Sequence, residues 1–256
     1  RDPPADRRRL VAPAPSLSPM ARLLVHRRRL HALAAPVEAV RHHRLWETAT
    51  GVLYVTGGIC FLVGSVFFFP TLVALRDLGV GLFVLGSLIY LVVTTHDVLE
   101  VRRVRRGESP SIVAGDAEAV AAVAYFLGTL LFAVGSVFFL SRLDMVEAGA
   151  WCFVVGSLLF VAAAGINVVD AATIDSRTLL RLFNLTAVTF LVGSVLFAVA
   201  SVPYGWSWRS AADRTTVYAF LAFLFVLGSG LFVAGGLFNL RRCRLFGRHA
   251  GDDFSR

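Results

Sequence analysis

Residues 61–68 read Phe-Leu-Val-Gly-Ser-Val-Phe-Phe, and residues 132–139 read Phe-Ala-Val-Gly-Ser-Val-Phe-Phe. Both octapeptides fit the pattern Phe-x-x-Gly-Ser-x-x-Phe/Tyr, which recurs in four further apolar stretches of the chain. The two aromatic positions and the glycine lie on one face of an α-helix, because offsets of three and four residues stay on the same side. The pattern therefore predicts helices that each carry a notch between two aromatic side chains.

Small residues of this motif are the main candidates for helix packing. They are Gly64, Ser65, Gly86, Ser87, Gly135, Ser136, Gly156, Ser157, Gly193, Ser194, Gly228 and Ser229. In a membrane, regularly spaced small residues let helix backbones approach closely. The serine hydroxyl can bond to the carbonyl four residues earlier or reach the next helix. The motif thus predicts close-packed helix seams, and the alternative is a pore lined by six serines.

The composition of the 256-residue chain indicates an integral membrane protein. It is 57% hydrophobic and only 16% charged, with a mean hydropathy of +0.71, whereas a soluble domain has roughly a quarter charged residues. Six stretches reach or approach the roughly 20 apolar residues that a bilayer requires. They span residues 48–69, 78–95, 118–140, 146–168, 179–202 and 215–239. We therefore expect an all-α, polytopic membrane protein with six transmembrane helices.

Three tandem helical hairpins, at 48–95, 118–168 and 179–239, are expected to form a transmembrane domain over residues 48–240. Residues 1–47 are expected to be a disordered, basic juxtamembrane segment, with Met20 as a candidate start, and residues 241–256 a basic tail. The order in which the hairpins pack stays open, although parallel repeats favour an approximate three-fold axis along the membrane normal.

Arginine placement predicts the orientation. The chain has 25 arginines and no lysine; four of them, Arg76, Arg142, Arg209 and Arg214, lie on one side of the predicted spans and 21 on the other. The positive-inside rule then places both termini in the cytoplasm and the protein in the cytoplasmic membrane. We expect the arginine clusters to contact anionic lipids of the inner leaflet, and not nucleic acid. Residues 27–46 are either a helix on that leaflet, with Trp46 at the headgroups, or a solvated basic tail.

Polar residues recur at the cytoplasmic ends of the even helices. Asp97, Asn167 and Asn239 stand eleven residues after their motif glycines, while Tyr54 and Tyr125 stand ten residues before theirs. Phe183 occupies the corresponding place before the fifth glycine. These positions support a two-helix repeat unit.

One cluster of these polar residues is a candidate cation or proton site. Its members are His96, Asp97, Glu100, Asn167 and Asp170. Ionisable residues within membrane spans often mark such sites. The alternative is that they are ordinary helix ends at the water boundary.

The glycine-serine hairpins, as in residues 62–68 followed by 81–87, resemble those of the YrhK-like family of small bacterial membrane proteins. The resemblance extends from Thr50 to Arg244 and implies three copies of a unit that this family often carries singly. The third hairpin departs from the pattern, because residues 203–214 form a longer loop whose Tyr204, Trp206 and Trp208 suggest an interfacial aromatic belt. The resemblance implies no catalytic residues.

No motif for a catalytic, cofactor or metal site occurs in the sequence. We therefore expect a protein that is not an enzyme and needs no cofactor. It is expected to be a helix-packing element, or one that binds lipid, a protein partner or a second copy of itself. The alternative is a channel or transporter for a small solute. Ion coupling is disfavoured because no ionisable residue lies at the centre of a predicted span.

Overall fold

The computed structural model describes residues 37–106, 116–171 and 177–252, and the side chains of 45–103, 105–106, 116–167 and 181–243. Within these ranges the chain is almost entirely helical and forms no strand. The helices are α1 (Val37–Val66), α2 (Arg76–Arg105), α3 (Asp116–Phe138), α4 (Val146–Ala171), α5 (Arg177–Ser201) and α6 (Ala211–Asp252). Each contains a stretch long and apolar enough to cross a membrane. The prediction of six transmembrane helices is confirmed.

The six helices form a closed ring. Each helix packs against its neighbours in sequence, and α1 also packs extensively against α6. Short 3₁₀ turns at Pro70–Leu75 and Val202–Gly205 join the helices of the first and third hairpins. The helix order, which the sequence left open, is therefore the order of the chain.

The helices extend past the predicted spans, most of all at the two ends of the chain. α1 begins at Val37 and not near residue 48, and α6 continues to Asp252. Because no glycine or proline separates Val37 from Thr50, nothing interrupts the helix there. Residues 37–46, half of the expected surface helix, continue into the spanning helix, and residues 27–36 lie outside the described residues.

Pairs of glycines form the seam inside each of the first two hairpins. In the first hairpin Gly57 faces Gly86 and Gly64 faces Gly79. A Cβ atom built on Gly64 would lie 3.0 Å from the Gly79 carbonyl oxygen, and one on Gly86 would lie 3.0 Å from that of Gly57. The second hairpin repeats the arrangement with Gly128 against Gly156 and Gly135 against Gly149, at 2.8–3.0 Å. Backbone approach this close leaves no room for a side chain.

The serine that follows each motif glycine is buried as well, and one of these serines reaches across a different seam. Ser65 donates to the Phe61 carbonyl at 2.7 Å, and its oxygen lies 3.1 Å from the hydroxyl of Ser229 on α6. The motif glycine of α1 therefore faces α2, in its own hairpin, while the adjacent serine faces α6, in the third hairpin. Ser87 and Ser157 are fully buried, and their hydroxyls have no hydrogen-bond partner among the described residues.

Helix α5 packs one heptad out of the register that the motif predicts. Gly193 faces Gly228 directly, since a Cβ atom built on Gly193 would lie 3.0 Å from the Gly228 carbonyl oxygen. Gly193 therefore occupies the position that Gly57 and Gly128 have in the other hairpins. The octapeptide 197–204, Phe-Ala-Val-Ala-Ser-Val-Pro-Tyr, then corresponds to residues 61–68. Ser201 supports this register, since it is fully buried and donates to the Phe197 carbonyl at 2.7 Å.

Two layers of phenylalanine rings fill the centre of the ring of helices. In one layer Phe83, Phe153 and Phe225, from the three even helices, have ring centroids 6.0–6.3 Å apart. In the other, the rings of Phe61, Phe132 and Phe197 from the odd helices lie 5.6–6.4 Å apart. All six side chains are buried. The middle of the bundle is therefore a packed aromatic core with approximate three-fold symmetry.

Aromatic side chains also pack together at the end of the bundle away from the termini. Tyr204 packs against Tyr218 and Phe139, with ring centroids at 4.8 and 5.4 Å. It therefore plugs the core and does not belong to the expected aromatic belt, whereas Trp206 is exposed. At the same end, a carboxylate oxygen of Asp77 accepts hydrogen bonds from the Ser141 amide and hydroxyl. This contact joins the first hairpin to the second.

Candidate functional site

A cavity of about 210 Å³ opens at the end of the bundle that carries the chain termini. All six helices line it. Its lining residues are Trp46, Glu47, Thr50, Tyr54, Thr94, Asp97, Tyr125, Phe160, Asn167, Phe183, Thr186, Ala187, Phe190, Asn239, Arg242 and Cys243. Because the helices surround it, the cavity lies on the axis of the ring and not between one helix and the lipid.

The depth of the cavity follows from the helix geometry. Gly57 and Gly86 contact each other near the middle of their spans. Tyr54 precedes Gly57 by three residues, about 5 Å along the helix, and Asp97 follows Gly86 by eleven, about 16 Å. Half of a bilayer core is roughly 15 Å thick. The cavity therefore reaches from the hydrocarbon boundary into one half of the apolar slab.

Equivalent positions of the three hairpins form its floor and wall. The floor consists of Tyr54, Tyr125 and Phe190, which occupy the same place once the shifted register of α5 is applied. Phe190, and not Phe183, is thus the counterpart of the two tyrosines; Phe183 also lines the cavity, about two turns nearer its mouth. The wall carries Asp97, Asn167 and Asn239 at matching places on the even helices.

Hydrogen bonds hold several of these polar groups in position. The Asn167 side-chain amide donates to the Tyr125 hydroxyl at 3.2 Å. Arg242 donates to the Asn239 side-chain oxygen at 2.6 Å, and its guanidinium lies 5.5 Å from the centroid of the Phe183 ring. These contacts hold the wall residues of the second and third hairpins in place.

The acidic side of the cavity belongs to α1 and α2. Asp97 lies 4.0 Å from Nδ1 of His96, which is also 4.0 Å from a carboxylate oxygen of Glu100. The His96 ring packs against Trp46 with centroids 4.0 Å apart. One ligand atom from each of His96, Asp97 and Glu100 lies within 4.8 Å of the other two. These three residues are thus the group among the described side chains that could approach a cation together.

The structure divides the predicted polar cluster. Asp97 and Asn167 line the cavity, and His96 and Glu100 lie beside Asp97. Asp170 belongs to α4, but its side chain lies outside the described residues. The twelve motif glycines and serines lie in the helix seams or core, and none of them lines the cavity.

Sequence reasoning missed part of the lining. Trp46 was considered only as a residue at the headgroups, in one of two alternatives, and Thr94 and Phe160 were not considered together with the tyrosines. The available signal was the repeat itself, since residues at matching distances from the glycines converge on the axis when the hairpins close into a ring.

These features define a transmembrane helical-bundle protein with an aromatic core and a polar cavity at one end. The YrhK-like protein family model matches residues 44–101 and 117–171, which cover the first and second hairpins. The chain belongs to the YrhK-like family. Helices α5 and α6, which contain the third hairpin, lie outside the matched ranges. No curated protein and no solved structure matches the chain.

Proposed function

We propose that the protein is a non-catalytic membrane protein that binds a ligand in the cavity at the termini end of the bundle. The packed core below the cavity carries this proposal. The two phenylalanine layers and Tyr204 fill the bundle between the cavity floor and the opposite end, so the cavity is blind. A blind, preformed pocket with a few convergent polar groups is typical of a binding site.

In this proposal the chain crosses the cytoplasmic membrane six times, and the cavity faces the cytoplasm. Exposed arginines at the cavity end support that orientation, among them Arg102, Arg103, Arg105 and Arg106 at the end of α2. They would lie at the level of anionic headgroups, where each basic residue near the surface contributes about 1 kcal/mol of attraction. Apolar side chains exposed around the ring, such as Val63, Leu88 and Leu158, face the lipid.

A transporter for a small solute is the second candidate. The placement of the cavity on the ring axis, within the apolar slab, favours it. Transport would require the aromatic layers to separate so that the cavity opens to the other side. The close glycine seams oppose such a movement within a hairpin, and a Cβ atom on Gly236 would lie 2.9 Å from the Val55 backbone nitrogen, so α1 and α6 pack as closely. Any opening would therefore have to occur where the second hairpin meets the first or the third.

Solute permeation distinguishes the two candidates. The purified protein is reconstituted in liposomes, and the permeation of urea, glycerol and choline is followed by light scattering after rapid mixing. We expect the rates of protein-free liposomes, with a pore-forming peptide as the positive control. Saturable, protein-dependent permeation of any of these solutes would support the transporter and refute the blind binding cavity.

A further inference from the structure

The aromatic lining of the cavity indicates the chemical class of its ligand. Tyr54, Tyr125 and Phe190 place three rings at the floor, and Trp46 and Phe160 add two more. Aromatic faces attract cations, and cages of such rings bind organic ammonium groups. A hard metal ion needs a full shell of oxygen ligands, whereas the three floor residues offer two tyrosine hydroxyls, and that of Tyr125 already accepts a hydrogen bond from Asn167.

The charges of the lining favour a cation as well. It carries two carboxylates, Glu47 and Asp97, and one guanidinium, Arg242. Arg242 is engaged by the Asn239 side chain and the Phe183 ring. Among the described side chains, the ion-pair partner of Asp97 is His96, at the outer limit of 4.0 Å. Asp97 is therefore the carboxylate of the lining with which a bound cation could pair.

We infer that the cavity binds a small organic ammonium compound, with its nitrogen above the aromatic floor and paired with Asp97. This inference rests on the proposed binding function and names the class of its ligand. Of the three related wall positions, 97, 167 and 239, only the first carries a charge. Asp97 therefore determines where in a nearly three-fold cavity the nitrogen binds.

The ligand enters from water. All six helices line the cavity, so its mouth lies on the bundle axis, and a lipid would have to leave the bilayer to place its headgroup there. A water-soluble ammonium compound reaches the floor without that cost.

Trp46 is the natural reporter of binding, because it lines the cavity while Trp151, Trp206 and Trp208 do not. A variant with those three tryptophans changed to Phe is placed in phosphatidylglycerol nanodiscs. It is titrated with choline and with 3,3-dimethylbutan-1-ol, which has the same shape but no charge, at constant ionic strength. Choline should change the Trp46 emission saturably, and the alcohol should not at equal concentration.

Matched variants then test the role of Asp97. Asp97→Asn makes the three wall positions amides and should weaken choline binding at least about tenfold, as expected for loss of the ionic partner. Asp213→Asn, the same change at the opposite end of α6, should leave binding unaltered. Asn167→Asp adds a second carboxylate to the wall and should tighten binding, which keeps the test decisive even if Asp97→Asn does not fold.

Equal responses to choline and the alcohol, or unchanged choline affinity in Asp97→Asn, would overturn the inference. So would loss of the choline response in phosphatidylcholine nanodiscs, because a lipid headgroup would then occupy the cavity. Without choline binding and without solute permeation, the ammonium ligand is refuted while the blind cavity stands. Protein-dependent permeation refutes the proposed function itself.

Discussion

At the residue scale, the glycine and the serine of the α1 motif contact different neighbouring helices. Neighbouring positions on a helix point about 100° apart, so a glycine that faces one helix is followed by a serine that faces another. In α1, Gly64 contacts α2, whereas Ser65 contacts Ser229 on α6. In α1 the dipeptide therefore places the helix against both of its neighbours in the ring.

The glycine seams predict that alanine substitutions at different glycines have different effects on the stability of the protein. A Cβ atom on Gly128 would lie 2.7 Å from the Phe160 ring and 2.9 Å from the Gly156 carbonyl oxygen. Gly128→Ala should therefore destabilise the protein by about 1–3 kcal/mol, the cost of overpacking a core. Gly165 has no atom within 4 Å of its built Cβ, so Gly165→Ala should be neutral or stabilising by about 0.5–1 kcal/mol. Thermal unfolding in detergent measures both, and equal stabilities would contradict the seam.

The buried serines predict opposite effects of the same substitution. Ser65→Ala removes the hydroxyl partner of Ser229, which is fully buried, and should cost about 1 kcal/mol. Ser87 has no hydrogen-bond partner among the described residues, so Ser87→Ala should leave stability unchanged or raise it by up to about 1 kcal/mol. The same unfolding assay applies. A larger loss from Ser87→Ala than from Ser65→Ala would show that the hydrogen-bond assignment is wrong.

At the element scale, α5 shows that a seven-residue repeat can predict the wrong packing register for a helix. Two overlapping octapeptides, 190–197 and 197–204, fit the packing pattern when alanine replaces the second glycine. The glycine-serine motif favours the first, but Phe197, and not Phe190, joins Phe61 and Phe132 in the core layer. The reason is steric: Gly193 is the residue of α5 that allows contact with Gly228, and this contact determines the height of the helix.

Closure of the ring between the first and last helices predicts a specific cross-link. The Ser65 and Ser229 side-chain oxygens lie 3.1 Å apart, so a Ser65→Cys/Ser229→Cys variant should form an intramolecular disulfide upon mild oxidation. Cys60, Cys152 and Cys243 are free thiols and are first changed to Ala. Mass spectrometry of the digested protein detects the linked peptides. The Ser65→Cys/Ser157→Cys pair, on helices that are not ring neighbours, serves as the control and should stay reduced.

At the scale of the whole molecule, the closed ring produces both the solid core and the cavity. Six helices of similar length surround an axis that phenylalanine fills at mid-height. Towards the termini the axial positions become Tyr, Asp and Asn, whose side chains do not fill the space and which leave a polar opening. The change from apolar to polar residues along the same helix faces therefore determines where the core ends and the cavity begins.

The orientation of the bundle is tested with fusion reporters. Because exposed arginines gather at the cavity end, we expect a green fluorescent protein fused to the C-terminus to fluoresce and alkaline phosphatase fused after Trp208 to be active. The reverse pattern would place the cavity outside the cell. Reporters fused after Arg106 provide a second site at the cavity end, and they should agree with those at the C-terminus.

The sequence by itself determined the number of helices, their approximate spans and the small faces along which they pack. These features depend on local composition and on the period of the helix, and both are legible in one chain. For the candidate site, the sequence also marked Asp97, Asn167 and the two tyrosines by their repeated spacing. It did not place Trp46 beside them, because that contact requires α1 to continue straight through the membrane boundary.

Only the tertiary structure decided the closure of α1 against α6, the register of α5 and the existence of the cavity. Each of these depends on contacts between residues far apart in the chain, such as Ser65 with Ser229 and Phe61 with Phe197. A motif that repeats every seven residues allows two helices to pack at several heights with similar local contacts. Steric fit among all six helices at once selects one of those heights, and that selection is a property of the assembled ring.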